Sequence, residues 1–262
     1  MIIGFLGVGT ISTAVIRAMS DRPVEGGSIL LSPRSEHMST QLAAEFPHCR
    51  RMASNQEVVD ESDMVVLAMR PQQADEALSS VRFRDDQVVA SFIAGTPPSQ
   101  IAALVSPASR VAQLIPLPAI ELGRGPLLIC PAVAEVERAF EGLGDVIVWE
   151  DESLIRVFSC ASAFMSTYYE LQNTIIGWMS TRGIDEDTAA RYILSELEGL
   201  AAVGKATPVE RLGDLPGEHQ TRGGLNERVR RTLGEQGWFG DLASALDDVY
   251  DNAVLRSPDP TG

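Results

Sequence analysis

From residue 1 to about residue 150, short apolar runs alternate with amphipathic stretches. Ile2 to Leu6 reads as a buried strand, and Thr10 to Met19 as a helix with Ile11, Ala14, Val15 and Ala18 on one face. Ser28 to Leu31 predicts a second strand and Ser39 to Phe46 a second helix. Met64 to Ala68 is a strand of branched residues, followed by a helix from Gln73 to Val81. Val88 to Ile93 and Pro98 to Val105 repeat the strand–helix pair. Val111 to Ile115 and Pro126 to Cys130 add strands, Val133 to Leu143 a helix, and Asp145 to Trp149 a last strand. Continuous apolar strands alternating with helices predict a parallel sheet covered on both faces, joined by right-handed crossovers.

The strand pattern stops at Glu152. Leu154 to Ser180 reads as one long helix ending near Gly183, and Asp185 to Val203 as another, opening on Asp185, Glu186 and Asp187 as a helix N-terminus favours. Leu225 to Gln236 and Asp241 to Leu255 give two more, and Pro258 to Gly262 a frayed tail. The expected fold class is therefore α/β: a Rossmann-type parallel-sheet domain over residues 1–150, then an all-α domain over 151–257, with 258–262 disordered. Phe158, Phe164, Met165, Tyr168, Tyr169, Leu171, Ile175, Ile176, Trp178 and Met179 crowd nearly every face of the first long helix. A helix apolar all round needs cover on all sides, more than four helices supply, so a homodimer with interleaved helices is expected.

Charge narrows the partners. The 262 residues carry 36 acidic against 21 basic side chains, a formal net charge of −15. Such a surface repels polyanions, which argues against nucleic acid and against anionic membranes as partners. No apolar run approaches the roughly 20 residues of a membrane span. The opening MIIGFLGVG lacks a cationic segment and runs into glycines, so it reads as a strand and not as a signal peptide. Cys49, Cys130 and Cys160 match no metal spacing, and reduced, mostly buried thiols in a cytoplasmic protein are expected, with no metal.

The turn after the first strand carries the chemistry. Gly7 permits a tight turn, Gly9 lets the backbone approach a pyrophosphate, and Ser12 is the small third residue that helix–strand packing needs. Gly7, Val8, Gly9, Thr10, Ile11 and Ser12 thus form a candidate phosphate cradle at a helix N-terminus. The second strand ends in Ser32, Pro33, Arg34 and Ser35. Hydroxyls and a guanidinium suit the 2′-phosphate of NADP(H), with Arg34 the main anchor, whereas Glu36 close by favours NAD.

In this order the motifs resemble the pyrroline-5-carboxylate reductase family, NADPH-dependent enzymes that reduce a cyclic imino acid to proline. GFLGVGTISTAVIRAM resembles that family's cofactor loop and SPRSE its phosphate-reading turn. VVLAMRPQQADEAL resembles its strand–(Lys/Arg)-Pro–helix segment, which implies cofactor contacts at Ala68, Met69, Arg70 and Pro71. ASFIAGTPPSQI resembles the next strand and turn, which implies Ala94 and Gly95. Thr221, Arg222, Gly223, Gly224, Leu225 and Asn226, followed by LGEQGWFGDLASALDDVYDNA, resemble its Gly-Gly loop and last two helices. That makes these six the implied substrate-binding residues. The family also completes its active site across a dimer.

Three segments depart from the family. Ile115-Pro116-Leu117-Pro118 stands where the family has Met-Pro-Asn-Thr-Pro. Ala161-Ser162-Ala163-Phe164-Met165 replaces Ser-Gly-Ser-Gly-Pro, and Arg222-Gly223-Gly224-Leu225-Asn226 replaces Pro-Gly-Gly-Thr-Thr.

An iminium is an easy hydride acceptor, so positioning of cofactor and substrate carries most of the catalysis. Gly223 and Gly224 open a helix whose free N–H groups are expected to bind a substrate carboxylate. Asn226 is a candidate donor in place of a lost threonine, Arg222 a cationic contact, and Tyr168 a candidate proton donor for which packing is the competing role. His219 precedes the loop and reads as a surface residue, as do His37 and His48. No Ser-His-Asp, HExxH or P-loop pattern occurs. The expected function is an NADPH-dependent reductase of a small cyclic imino acid, as in proline synthesis. A reductase or dehydrogenase of another small imine, keto or hydroxy acid, or a cofactor-binding paralogue without catalysis, are the alternatives.

Overall fold

The structure, a computed structural model, describes residues 1–21 and 27–252. The expected tail at Pro258–Gly262 and the end of the last expected helix at Leu255 lie outside the described residues. The described residues fall into two compact units, Met1–Ser159 and a second starting at Cys160.

The first unit runs β1 (Ile2–Leu6), α1 (Thr10–Ser20), β2 (Ser28–Leu31), α2 (Glu36–Glu45), β3 (Cys49–Arg51), α3 (Asn55–Glu61), β4 (Met64–Leu67) and α4 (Pro71–Ser79). It continues with β5 (Val88–Ser91), α5 (Pro98–Leu104), β6 (Arg110–Pro116), a 3-10 turn at Pro118–Leu122, β7 (Pro126–Cys130), α6 (Ala134–Phe140) and β8 (Asp145–Val148). A 3-10 turn at Glu152–Leu154 leads into α7 (Ile155–Ser162), which carries the chain into the second unit.

The eight strands form one sheet in the order β3-β2-β1-β4-β5-β6-β7-β8, the doubly wound order reversing beside β1. Its two faces bury separate cores. On one, Phe5, Leu31, Val66, Ala90, Leu114 and Ile129 meet Val15 of α1, Leu42 of α2 and Phe140 of α6. On the other, Leu6, Leu30, Leu67, Val89 and Val111 meet Val58 of α3, Leu78 of α4 and Ile101 of α5. Each fully buried Leu, Ile or Phe here contributes about 1.5–3 kcal/mol relative to exposure. Because strand side chains alternate between faces, a strand serving both cores is apolar almost throughout, as in MVVL and in VVAS up to its last residue, Ser91.

Four features depart from the pattern-based expectation. β3 and α3 were not expected; at three and seven residues they are too short to show a period. α3 is instead fixed by its start, where Ser54 Oγ accepts from the Glu57 N–H (3.1 Å) and Glu57 accepts from the N–H of Ala53, just before the cap (3.0 Å), close to a capping box. The sheet is not wholly parallel: β6 and β7 pair antiparallel. Only the short 3-10 turn joins them, enough for a reversal but not for a helical crossover. His48 is half-buried, with Nε2 2.9 Å from Ser20 Oγ and its ring against Phe46, so it does not face solvent as expected.

In the second unit the expected single helix from Leu154 to Ser180 is two, α7 and α8 (Met165–Ser180). The break tightens into i→i+3 bonds, Ala163 N–H to the Cys160 carbonyl (3.0 Å) and Phe164 N–H to the Ala161 carbonyl (3.3 Å). α9 (Glu186–Ala206) follows, N-capped by Asp185 accepting from the Thr188 N–H at 3.0 Å. A 3-10 stretch at Val209–Asp214, the short α10 (Leu215–Glu218), α11 (Leu225–Glu235) and α12 (Trp238–Asn252) complete it. Within this unit α8 lies against α9 and α11 against α12.

The second unit leaves large apolar side chains uncovered. Tyr169, Trp178, Tyr192, Val209, Leu225 and Val229 are each more than half exposed. Among the described residues no helix is long and apolar enough to cross a membrane, and no cluster of His, Cys, Asp and Glu is arranged to hold a metal. Cys49 and Cys130 are buried, which pushes both thiols up to about 11.

Candidate functional site

β1 delivers the chain to Gly7, whose φ of +102° is open to glycine and strained for other residues. A Cβ there would also run into the Ala68 carbonyl at the end of β4. Gly7→Ala is therefore expected to cost at least about 2 kcal/mol of stability through strain and overlap with backbone. A thermal melt checks this, and a midpoint within a degree of wild type would refute it.

Gly9, the N-cap of α1, behaves oppositely: a Cβ built on it meets nothing within 4 Å. The first internal bond of α1 runs from the Thr13 N–H to the Gly9 carbonyl (2.9 Å). The N–H groups of Thr10, Ile11 and Ser12 have no partner among the described residues, and α1 has no side-chain cap. Three free donors at the positive end of an 11-residue helix, beside a hollow that only glycine leaves open, form an anion cradle. These observations fit a dinucleotide pyrophosphate.

The cradle opens into a cleft of about 560 Å³ at the carboxyl ends of the strands. Gly9, Thr10, Ile11, Ser12, Ala68, Met69, Arg70, Pro71 and Ala94 of the expected set line it. Pro71 begins α4 at its first turn, where a missing N–H does no harm. Gly7, Val8, Ser32, Arg34, Ser35 and Gly95 are not in the lining. Phe92, Gln113, Leu114, Ile115, Pro116 and Ser159 also line the cleft and were not among the expected site residues.

Gln113 carried a readable signal, a lone amide in the apolar run of β6. It is buried, its Nε2 donates to the Ile93 carbonyl (3.1 Å), and its Oε1 has no partner among the described residues. The backbone of Ile115 and Pro116 is held by β7, paired with Leu128 and Leu127. Leu117 beyond them is half-buried and Pro118 exposed.

Ser32 turns inward. It is 1% exposed and its Oγ accepts from the Gly7 N–H (2.9 Å), so it braces the glycine turn instead of facing a 2′-phosphate. Arg34 is exposed and lines a second groove of about 410 Å³ with Pro33, Ser54, Asn55, Gln56, Ser80 and Val81. Ser35 is the N-cap of α2, without a side-chain cap bond. Glu36, the acid that favoured NAD, pairs with Arg51 at 3.5 Å, and Arg51 also donates to the Pro33 carbonyl (3.3 Å). Arg51 thus brings a second guanidinium to this turn and draws off its acid.

In the second unit Thr221 to Gly224 form the loop before α11, and Leu225 and Asn226 open that helix. Gly223 has φ +75°, and a Cβ on Gly224 would run into the Thr221 hydroxyl. The two glycine amides were expected to be free for a substrate, and neither is. The Gly223 N–H donates to the Glu227 carboxylate, and the Gly224 N–H to the Thr221 carbonyl (2.8 Å). Asn226 Nδ2 donates to the His219 carbonyl (2.7 Å). The N–H groups of Leu225, Asn226 and Glu227, in the first turn of α11, have no partner among the described residues. Tyr168, on α8, is half-buried with its ring edge-on to Tyr169, centroids 5.7 Å apart. His219 is exposed, as expected.

Fold and cleft together have the form of a dinucleotide-binding α/β unit, followed in the chain by a helical unit. A family model described as NADP oxidoreductase coenzyme F420-dependent matches residues 2–95. A pyrroline-5-carboxylate reductase of Vibrio alginolyticus is 23% identical over 254 residues, covering 93% of each chain. The crystal structure of 1-pyrroline-5-carboxylate reductase from Streptococcus pyogenes superposes with a TM-score of 0.83 at 20% identity, over 98% of this chain and 99% of that one. The Plasmodium falciparum pyrroline carboxylate reductase, a structure with NADP bound, gives 0.82 at 16% identity over 95% of each. Along nearly its whole length the chain is thus similar in sequence, and in fold, to pyrroline-5-carboxylate reductases.

Proposed function

We propose that this protein is an NADPH-dependent reductase of a small cyclic imine, with pyrroline-5-carboxylate as the reference imino acid and L-proline as its product. The observation that carries the reading is the α1 cradle, with three unpartnered N–H groups and an open Gly9, facing a cleft at the carboxyl ends of the strands. When bound, NADPH supplies a hydride to the carbon of the C=N bond. The ring nitrogen keeps its proton and the double bond becomes the single C–N bond of the cyclic amine.

The residues have distinct roles in this reading. Gly7 to Ser12 hold the pyrophosphate through the cradle, and Ala68 to Pro71 with Ala94 and Gly95 form the wall along which the cofactor lies. Arg34 and Ser35, with Arg51, Ser54, Asn55 and Gln56 around the second groove, hold the adenosine 2′-phosphate. Gln113, Ile115 and Pro116 form the wall beyond β5, where the apolar edges exclude water. Substrate contacts come from the Thr221–Asn226 loop, and Tyr168 keeps the ring nitrogen protonated.

We further propose a homodimer. The uncovered Tyr169, Trp178, Tyr192 and Val229 make up an apolar surface that a second copy of the helical unit would bury. The cytoplasm, where the three thiols stay reduced, is the proposed location.

The test is a spectrophotometric assay of NADPH oxidation with pyrroline-5-carboxylate and a panel of cyclic imines, on the whole chain. Imine-dependent oxidation is expected, faster with NADPH than with NADH. Tight NADPH binding with no turnover of any imine would instead identify a cofactor-binding paralogue and end the reductase reading.

A further inference from the structure

We propose that Glu227 sets the substrate class, turning the helix-end loop away from carboxylates and toward cyclic imines that carry no acid group. This rests on the imine-reductase reading above and narrows its substrate.

The loop has the shape of a carboxylate receptor, with two glycines, a helix N-terminus and an arginine beside it. In this chain the receptor already holds a carboxylate of its own. Glu227 sits in the first turn of α11 and accepts the Gly223 N–H. It thereby places a negative charge at the positive end of the helix, the position an incoming anion would take. The Gly224 N–H and the Asn226 amide are also spent, on Thr221 and His219. What remains are the N–H groups of Leu225, Asn226 and Glu227, in the same helix turn as that carboxylate.

A substrate bearing an acid group would have to expel Glu227 from Gly223 or lie beside it as a like charge at hydrogen-bonding range. Arg222, at the start of the loop, is exposed, so solvent screens the attraction it could offer such a substrate. A ring without a carboxylate meets none of these obstacles, and its cationic iminium form is favoured by the nearby negative charge. Leu225 stands where the family has a threonine, which is consistent with an apolar ring edge instead of an acid.

The experiment compares pyrroline-5-carboxylate with 1-pyrroline, the same ring without the acid group, at saturating NADPH. The proteins are the full-length wild type, Glu227→Ala and Glu227→Gln. The wild type is expected to show the higher kcat/KM on 1-pyrroline. In Glu227→Ala the ratio of kcat/KM for pyrroline-5-carboxylate over 1-pyrroline should rise at least about tenfold, chiefly through the KM of the acid. Glu227→Gln keeps an acceptor for Gly223 but not the charge, so its ratio should rise less. A wild type that prefers pyrroline-5-carboxylate overturns the assignment, and so does a ratio unchanged in both variants. In either case turnover leaves the reductase reading standing. No turnover of either imine by any of the three proteins overturns that reading and this inference with it.

Discussion

Gly9→Trp should abolish NADPH binding, by at least about a hundredfold in Kd, in a chain that still folds. The two loop glycines make this a sharp test because they are glycine for different reasons. Gly7 is held by a positive φ and by the Ala68 carbonyl behind it, so any side chain there damages the sheet itself. Gly9 faces open space, so a Cβ there meets nothing, and the indole of the variant is expected to stand over the cradle. It would cover the N–H groups of Thr10, Ile11 and Ser12, the donors a pyrophosphate needs. A hundredfold loss is about 2.7 kcal/mol, the scale of losing charge-assisted hydrogen bonds. NADPH fluorescence titration with a thermal melt on the same sample separates the outcomes. Unchanged affinity in a folded variant would remove α1 from the cofactor site.

The second large effect concerns which dinucleotide is used. Arg34→Ala should lower the kcat/KM preference for NADPH over NADH by roughly tenfold to a hundredfold, since only the 2′-phosphate differs between the two. Arg51→Ala should act in the same direction by a second route. Without Arg51, Glu36 loses its partner and its carboxylate is released beside the phosphate site. Adding Glu36→Gln to Arg51→Ala should then recover part of the preference. Steady-state kinetics with both cofactors read all of this. If Arg34→Ala affects NADH and NADPH alike, Arg34 is no phosphate ligand.

The sequence made some of this plain and hid the rest for identifiable reasons. β1, the glycine turn and α1 are legible because backbone conformation, helix period and phosphate chemistry all constrain one stretch, Ile2 to Ser20. The strands β4 and β5 are legible because burial on both faces leaves almost no polar position, Ser91 at the end of β5 being the exception. β3 and α3 are not, and with them went Arg51 and the Ser54–Gln56 rim of the second groove. Direction is also absent from an apolar run: PLLIC reads the same whether it pairs parallel or antiparallel, and only the short link after β6 told against a crossover.

At the candidate site, residue types were legible and orientations were not. Ser32 looked like a phosphate ligand by its place after β2, yet its hydroxyl faces Gly7. Gly223 and Gly224 mark a turn at a helix start, but the chain itself engages both of their amides. The Glu three residues after Gly224 is the usual signal that a helix caps itself.

The reversal between β6 and β7 has a consequence for how such a site can drift. β5 ends at Ser91, level with Gln113, so the upper part of β6 has lost its parallel neighbour. There β7 takes over, paired from Gln113–Cys130 to Pro116–Leu127. The cleft wall that changed most from the family pattern is thus a ladder of main-chain bonds and not a hanging loop. Its backbone position does not depend on the side chains it displays. Mutation can exchange the side chains at Leu114 and Ile115 without moving the frame, and Leu117, where the family has an asparagine, follows directly on its anchored end. The amides of Leu114 and Ile115 would accordingly be among the slowest to exchange with deuterium. A lineage built this way can change what it reduces while keeping how it holds the reductant.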